Sequence, residues 1–246
     1  MRRKNLVVRA NKQKLPTQDL KVKNLYKNFK KKIVKKINKK NFAIAVSGGS
    51  DSLCLAYLGK IYKSEFKSKI HFLIVNHKIR SESKREAIKV KKILNTKGIK
   101  SKILNWNGEI PRSNIQKKAR NIRYSLISKY CVKNKIKYLL TAHHMDDQIE
   151  NFFIRLLRGS GLTGLSSMSV KTKYNNNLKI IRPFLSLEKK DLKYVTLNYF
   201  KTYIKDPTNK DDKFLRVRVR KYRKNMEKEG LDTKKIIKTV NNLVSA

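Results

Sequence analysis

Cysteine is nearly missing. Cys54 and Cys131 stand alone in 246 residues, far apart and in no CxxC pair. This disfavours a disulfide scaffold, a zinc site and an iron–sulfur cluster, and it fits a reducing compartment. Acidic residues are the second shortage: 17 Asp and Glu face 62 Lys and Arg, a formal net charge of +45. A field of that sign must be met by a polyanion, and nucleic acid and an anionic membrane surface are the two that fit. The same lysine excess is also what an AT-rich genome writes, since its codons favour Lys, Asn and Ile. Long apolar runs are the third absence, none approaching the ~20 residues of a membrane span. The chain starts Met1-Arg2-Arg3-Lys4-Asn5, basic but without the apolar stretch of a signal peptide. Its first 20 residues hold one Thr and no Ser, which weighs against a transit peptide. A soluble cytoplasmic protein is expected, with no membrane partner.

What is present is enough for a core. The chain is 39% hydrophobic with 11 Tyr and 9 Phe, which argues against global disorder. Its length suits one sizeable domain with short appendages. Residues 1–18 are polar, basic and without periodicity, and read as a mobile tail. From Asp19, Leu20, Leu25, Phe29, Ile33 and Ile37 step along roughly one helical face. Lys residues cover the rest of this helix, as a solvated face or as an RNA-facing stripe.

After Asn41 the texture changes. Phe42 to Val46 is a short, wholly apolar run bounded by turn residues, as expected of a strand buried on both faces. Ile70–Val75 and Tyr138–Ala142 repeat it, and Lys102–Trp106 does so weakly. Helical segments separate them, over Ser52–Tyr62, Ser83–Lys97 and Asn114–Lys133, with another over Asp147–Leu157. In the third, Ile115, Ala119, Ile122, Leu126 and Ile127 fall at helical spacing. The alternation predicts an α/β fold, a doubly wound parallel sheet with helices on both faces. From Ile181 it fades, and helices are expected over Ser186–Phe200, Phe214–Lys228 and Thr233–Val244. Chemistry in such folds sits at the carboxyl ends of the strands.

Just after the first strand stands Ser47-Gly48-Gly49-Ser50-Asp51-Ser52, running straight into a helix. Adjacent glycines let the backbone turn tightly and present successive N–H groups to an anion. Ser47, Ser50 and Ser52 add hydroxyls, and the helix points its positive end the same way. The run is a phosphate cradle, though not a Walker loop, because no Lys follows the glycines. A Gly-Ser turn with Asp51 as a helix cap is the bland alternative. Asp51 beside phosphates implies a cation between them, hence Mg²⁺. After the fourth strand comes the run His143-His144-Met145-Asp146-Asp147-Gln148-Ile149-Glu150, able to bind metal and position a reacting base. Dinuclear metal chemistry ranks lower, since no further His lies at matching spacing. Arg158-Gly159-Ser160-Gly161 then forms a glycine-broken basic loop.

Together these residues resemble the PP-loop ATP pyrophosphatase superfamily and, within it, the tRNA(Ile)-lysidine synthetases. The likeness runs over about residues 41–220. It takes in Ser47 to Ser52, Asn76-His77, Arg80 and Ser83, and Gln116 to Arg120 with Arg123-Tyr124. It continues through His143 to Glu150, Arg158 to Gly161, Arg182-Pro183, and Asp206 to Asn209 with Arg216 and Arg220. The chain departs where the family usually carries Asp (Asn76), Gly (Lys78) and Asn (Val217).

The resemblance implies an adenylation domain over 41–220, preceded by a basic tail and helix (1–40) and followed by a basic helical stub (221–246). It implies ATP and Mg²⁺ as cofactors, with tRNA(Ile) bearing a CAU anticodon and L-lysine as substrates. ATP would activate C2 of the wobble cytidine and the lysine ε-amino group would displace AMP, giving lysidine. Ser47, Gly48, Gly49, Ser50 and Ser52 would hold pyrophosphate, and Asp51 the metal. Arg120, His143 and Asp147 would stand at the reacting centre, with Arg158, Arg182, Arg216 and Arg220 toward tRNA. Many members add C-terminal domains that grip tRNA, so a short form is implied in which the N-terminal tail and C-terminal helices supply some of that grip. Two alternatives remain: tRNA thiolation, which in this superfamily leans on cysteines, and a degenerate, non-catalytic RNA-binding relative. Amidation ranks below both, because +45 makes little sense for a small-molecule substrate.

Overall fold

The computed structural model describes residues 19–37, 41–109, 115–166 and 168–245; the tail over 1–18 lies outside them. Four parallel strands form where the apolar runs stand: β1 (Phe42–Ala45), β2 (Ile70–Asn76), β3 (Ser101–Asn105) and β4 (Tyr138–Leu140). β1 is central, with Ile44 opposite Phe72 of β2 on one side and Leu140 of β4 on the other. A hairpin that the sequence did not announce extends the sheet: β5 (Lys171–Lys173) pairs antiparallel with β6 (Lys179–Ile181), and β6 pairs parallel with β4. The order is β3-β2-β1-β4-β6-β5.

Side chains alternate across the sheet, so each strand feeds two cores. On one face Phe42, Ile44, Phe72, Ile74 and Leu140 meet α1 (Leu20–Ile37), α2 (Ser50–Phe66), α3 (Ser83–Asn95) and α7 (Lys189–Phe200). On the other, Ala43, Leu73, Leu139 and Ile180 meet Tyr124, Ile127 and Cys131 of α4 (Ile115–Lys133). α2 lies beneath α1, α7 and the sheet, and Leu53, Cys54, Leu55, Ala56 and Leu58 have no exposure at all. Gly59 permits that approach, since a Cβ there would collide with Ile44 Cδ1. α1 buries Val22, Leu25, Tyr26, Phe29, Ile33 and Ile37 at three- and four-residue steps. Complete burial of Phe29 stabilises the fold by about 2–3 kcal/mol. Two expected core positions are exposed instead: Leu20 (70%), at the start of α1, and Ile115 (50%), at the start of α4.

α5 (Met145–Leu156), a single turn α6 (Leu162–Leu165), α8 (Leu215–Lys228) and α9 (Thr233–Ser245) gather beside this core. Ile149 of α5 with Ile236 and Val240 of α9 makes a small apolar cluster of its own. Among the described residues no helix is long and apolar enough to cross a membrane.

The chain lays β2 and β3 on one side of β1, then crosses to place β4 on the other. The carboxyl ends of β1 and β4 therefore flank the point where strand order reverses, the place at which open parallel sheets bind ligands.

Candidate active site

A cleft of about 260 Å³ opens at that reversal. Ser47, Gly49, Asp51 and Ser52 line one part of it, and Thr141, Ala142, His143 and Asp147 another. The two stretches singled out in the sequence are thus neighbours across one cavity.

The loop after β1 is shaped by its own side chains. Gly48 adopts φ +90°, and a Cβ there would collide with Val90 Cγ2 of α3, so glycine alone suits the position. Ser52 Oγ accepts from the N–H groups of Ser47 (3.2 Å) and Gly48 (3.1 Å) and donates to the Gly49 carbonyl (3.0 Å). Its hydroxyl therefore organises the loop from within, and Ser50 Oγ donates to Asp51 Oδ1 (3.0 Å). The first intrahelical bond of α2 runs from the Leu53 N–H to the Gly49 carbonyl. The amides of Ser50 to Ser52 are first-turn donors, the group that binds anions at helix starts. From behind, Thr196 Oγ1 of α7 donates to the Ser50 carbonyl (2.6 Å), and the Ile204 N–H donates to the Gly48 carbonyl (2.8 Å).

His144 is the hub between the two stretches, a role the sequence did not reveal. It is 4% exposed. Its Nε2 lies 3.5 Å from Asp51 Oδ2 and from Asp147 Oδ2, and its Nδ1 3.5 Å from Asp146 Oδ2. Burial disfavours the charged ring, but the hydrogen bond to Asp51 and the three carboxylates outweigh it, and the imidazole pKa is raised. His143 behaves oppositely. Burial, and then Arg182, Arg120 and Arg216 against the pull of Asp147, bring its pKa down to about 4. Its Nδ1 is hydrogen bonded to Thr141 Oγ1 at 2.9 Å. Asp147 Oδ2 accepts from the His144 N–H at 3.0 Å. Burial works against its charge, yet His144, His143 and Arg216 hold the carboxyl below the usual range.

The arginines divide. Arg120 lines the cleft, exposed, with its guanidinium 5.1 Å from the centre of the Tyr124 ring. Arg158 lies on the surface just past α5. Arg182 is 6% exposed and donates to the Ser169 carbonyl (2.8 Å) and Thr172 Oγ1 (2.7 Å), pinning β5. Arg216 and Arg220, both partly exposed, reach to α5: Arg216 Nε is 2.9 Å from Glu150 Oε2, and Arg220 Nε donates to Glu150 Oε1 at 2.5 Å. Lys78, where the resembled family has Gly, takes φ +54°, which is the conformation glycine serves best. Val217 is buried. Among the described residues no group of three or more His, Cys, Asp or Glu is arranged to hold a metal ion.

The chain is similar to a protein named tRNA(Ile)-lysidine synthase from Orientia tsutsugamushi (strain Boryong), at 44% identity over 184 residues, 75% of this chain and 41% of that protein. A namesake from Wolbachia pipientis wMel is 41% identical over 200 residues, 80% of this chain and 46% of its own length. The chain thus spans less than half the length of these curated relatives. In fold it is similar to a U34-tRNA thiolase, NcsA, from Methanococcus maripaludis, solved with its 4Fe-4S cluster, with a TM-score of 0.75. That likeness covers 92% of this chain and 80% of that one, at 21% identity. A family model described as the PP-loop domain matches residues 18–225, a range that takes in the whole sheet and both sides of the cleft; the chain belongs to the PP-loop domain family.

Proposed function

We propose that this protein uses ATP to ligate lysine to C2 of the wobble cytidine of a CAU-anticodon tRNA(Ile). The observation that carries the reading is the apposition of the Gly48–Ser52 loop and the His143–Asp147 stretch across one cleft. The relatives named as lysidine synthases support the choice of substrate. In the first step the cytidine O2 attacks the α-phosphorus of ATP, the α–β anhydride bond breaks, and pyrophosphate leaves. In the second the deprotonated lysine amine attacks C2, the C2–O2 bond breaks, and AMP departs with that oxygen. Such chemistry asks the protein chiefly for positioning and charge neutralisation. The target base has to leave its stack to be reached.

In this reading residues 41–220 form the adenylation unit. The loop amides hold the pyrophosphate, with Ser47, Ser50 and Ser52 shaping them. Arg120 balances the α-phosphate. His143, neutral at pH 7 with its pKa near 4, serves as a hydrogen-bonding partner and not as a cation. Asp147, ionised, helps to position the lysine. Arg158 is the arginine placed to meet RNA directly, while Arg182, Arg216 and Arg220 hold the walls. Asp51 is one carboxylate beside a phosphate cradle, a donor set that suits Mg²⁺ carried mainly by nucleotide oxygens and not a protein-built cage. When bound there, the ion would neutralise charge on the departing pyrophosphate.

Thiolation has less to stand on. Both cysteines are buried, and burial pushes the Cys131 thiol up to about 12 and the Cys54 thiol well above its ordinary value.

The test is an incubation of the protein with ATP, Mg²⁺, labelled lysine and total tRNA. Label should enter a CAU-anticodon isoleucine tRNA with AMP released; intact ATP and unlabelled tRNA would sink the reading. Asp51→Ala should abolish AMP formation and leave tRNA binding within about twofold, because one carboxylate is a small part of a basic surface.

A further inference from the structure

Arg123 is a half-buried cation whose favourable acidic neighbour, Asp206, is already paired with Arg80. It lines the cleft on α4 together with Arg120, Tyr124 and Ile127, positions that share one helical face. Along that face exposure falls from Arg120 at the mouth, through half-buried Arg123, to Tyr124 (7%) and Ile127 (1%). Among the described residues Arg123 has no hydrogen bond or ion pair, whereas the acids of the cleft are already engaged. Glu86 and Asp206 pair with Arg80, at 3.0 and 3.2 Å. Asp51 and Asp147 face His144. Arg120 repels Arg123 and Asp206, itself held by Arg80, attracts it, while His77 has both Arg123 and Arg80 for neighbours. A half-buried guanidinium beside another arginine, with its one acidic neighbour taken by Arg80 and its own donors unused, suits an anion that enters from solvent.

The neighbourhood says which anion. Ala45, Leu73, Val75 and Ile127 give the cleft an apolar wall between sheet and helix, suited to a flat base. Across from it lies the loop whose first-turn amides suit pyrophosphate. The phosphate that links a base-bearing nucleoside to a pyrophosphate is the α-phosphate. We propose that Arg123 grips the α-phosphate of ATP and keeps hold of it in the adenylate and in AMP. The inference rests on the ATP-using reading above and adds a phosphate ligand to it.

Equilibrium binding to the full chain and to Arg123→Gln, with ATP, AMP, adenosine and inorganic pyrophosphate as separate probes, tests this. ATP and AMP should each bind about tenfold or more weakly to the variant, as expected for a lost charge-assisted contact. Adenosine and pyrophosphate should stay within about twofold. Unchanged ATP and AMP binding, equal losses for adenosine, or a loss shown by pyrophosphate would each overturn the assignment. Should Arg123→Gln not fold, Arg123→Lys serves: it lacks the two-donor fork, so ATP and AMP should weaken at least about threefold, and wild-type affinity would refute the contact. No tRNA or lysine enters these measurements. A variant that binds ATP normally while the wild type forms lysidine defeats this inference alone. Arg123-dependent ATP binding by a protein that ligates no lysine defeats the ligase reading alone.

Discussion

Two adjacent imidazoles of the site are pulled in opposite directions, and each leaves its own mark on stability. His143 titrates near 4 in the fold against an ordinary 6.5. The unfolded chain therefore takes up the proton first, and stability is lost as pH falls from about 6.5 to about 4. At full extent the loss is on the order of 3 kcal/mol. His144, raised by Asp51, Asp147 and Asp146 against the opposing effect of burial, contributes below its ordinary value and loses that contribution as pH rises past its folded one. Melting temperature followed from pH 6.5 to 4 should thus fall less steeply in His143→Gln than in the wild type; parallel curves would count against the buried neutral ring. Imidazole NMR titration should place one resonance near 4 and another above 6.5. Lys78 offers a second residue-scale outcome. Its φ of +54° penalises a side chain, so Lys78→Gly should raise the melting free energy by about 0.5–1 kcal/mol, read from urea midpoints.

Between elements, α8 is tied to α5 by charge. Glu150, 3% exposed, takes Arg216 and Arg220 together, and Arg223 reaches Asp146 at 2.6 Å. Removing that acid takes a close carboxylate from two guanidiniums that keep some water contact, so Glu150→Ala should cost about 2–3 kcal/mol. Limited proteolysis should then cut faster around Glu229 to Asp232, between α8 and α9; an unchanged cleavage rate would mean the ion pairs contribute little. This docking explains what the sequence could and could not tell. Apolar runs such as Phe42–Ala45 and Phe72–Val75 are legible because a strand buried on both faces leaves little room for polar positions. β5, with Lys171, Thr172 and Lys173 all exposed, carries no such signal, and β6 is only three residues long. The members of the cleft are legible as residue types at strand ends. That Arg216 and Arg220 would meet Glu150, and that His144 would bridge to Asp51, depends on packing between segments about 70 and 90 residues apart, where local pattern is silent.

At the scale of the whole molecule the charge of +45 predicts that RNA and nucleotide binding part company as salt rises. If six or more phosphates are contacted, RNA affinity should drop about a thousandfold between 50 and 200 mM salt. ATP, if it sits in the cleft as proposed, should lose far less. Filter binding with tRNA beside calorimetry with ATP across that range distinguishes the two, and parallel losses would place the nucleotide on the open surface. Residues 1–18 can be weighed in the same titration: their deletion should weaken tRNA binding and flatten its slope. A different kind of consequence follows from the two bonds that back the loop, from Thr196 to Ser50 and from Ile204 to Gly48. A ribosome that has released only the first half of the polypeptide has made every atom of that turn and none of its buttress. If the loop cradles nucleotide as proposed, a nascent chain should gain that competence only late in synthesis, when the distant segment docks.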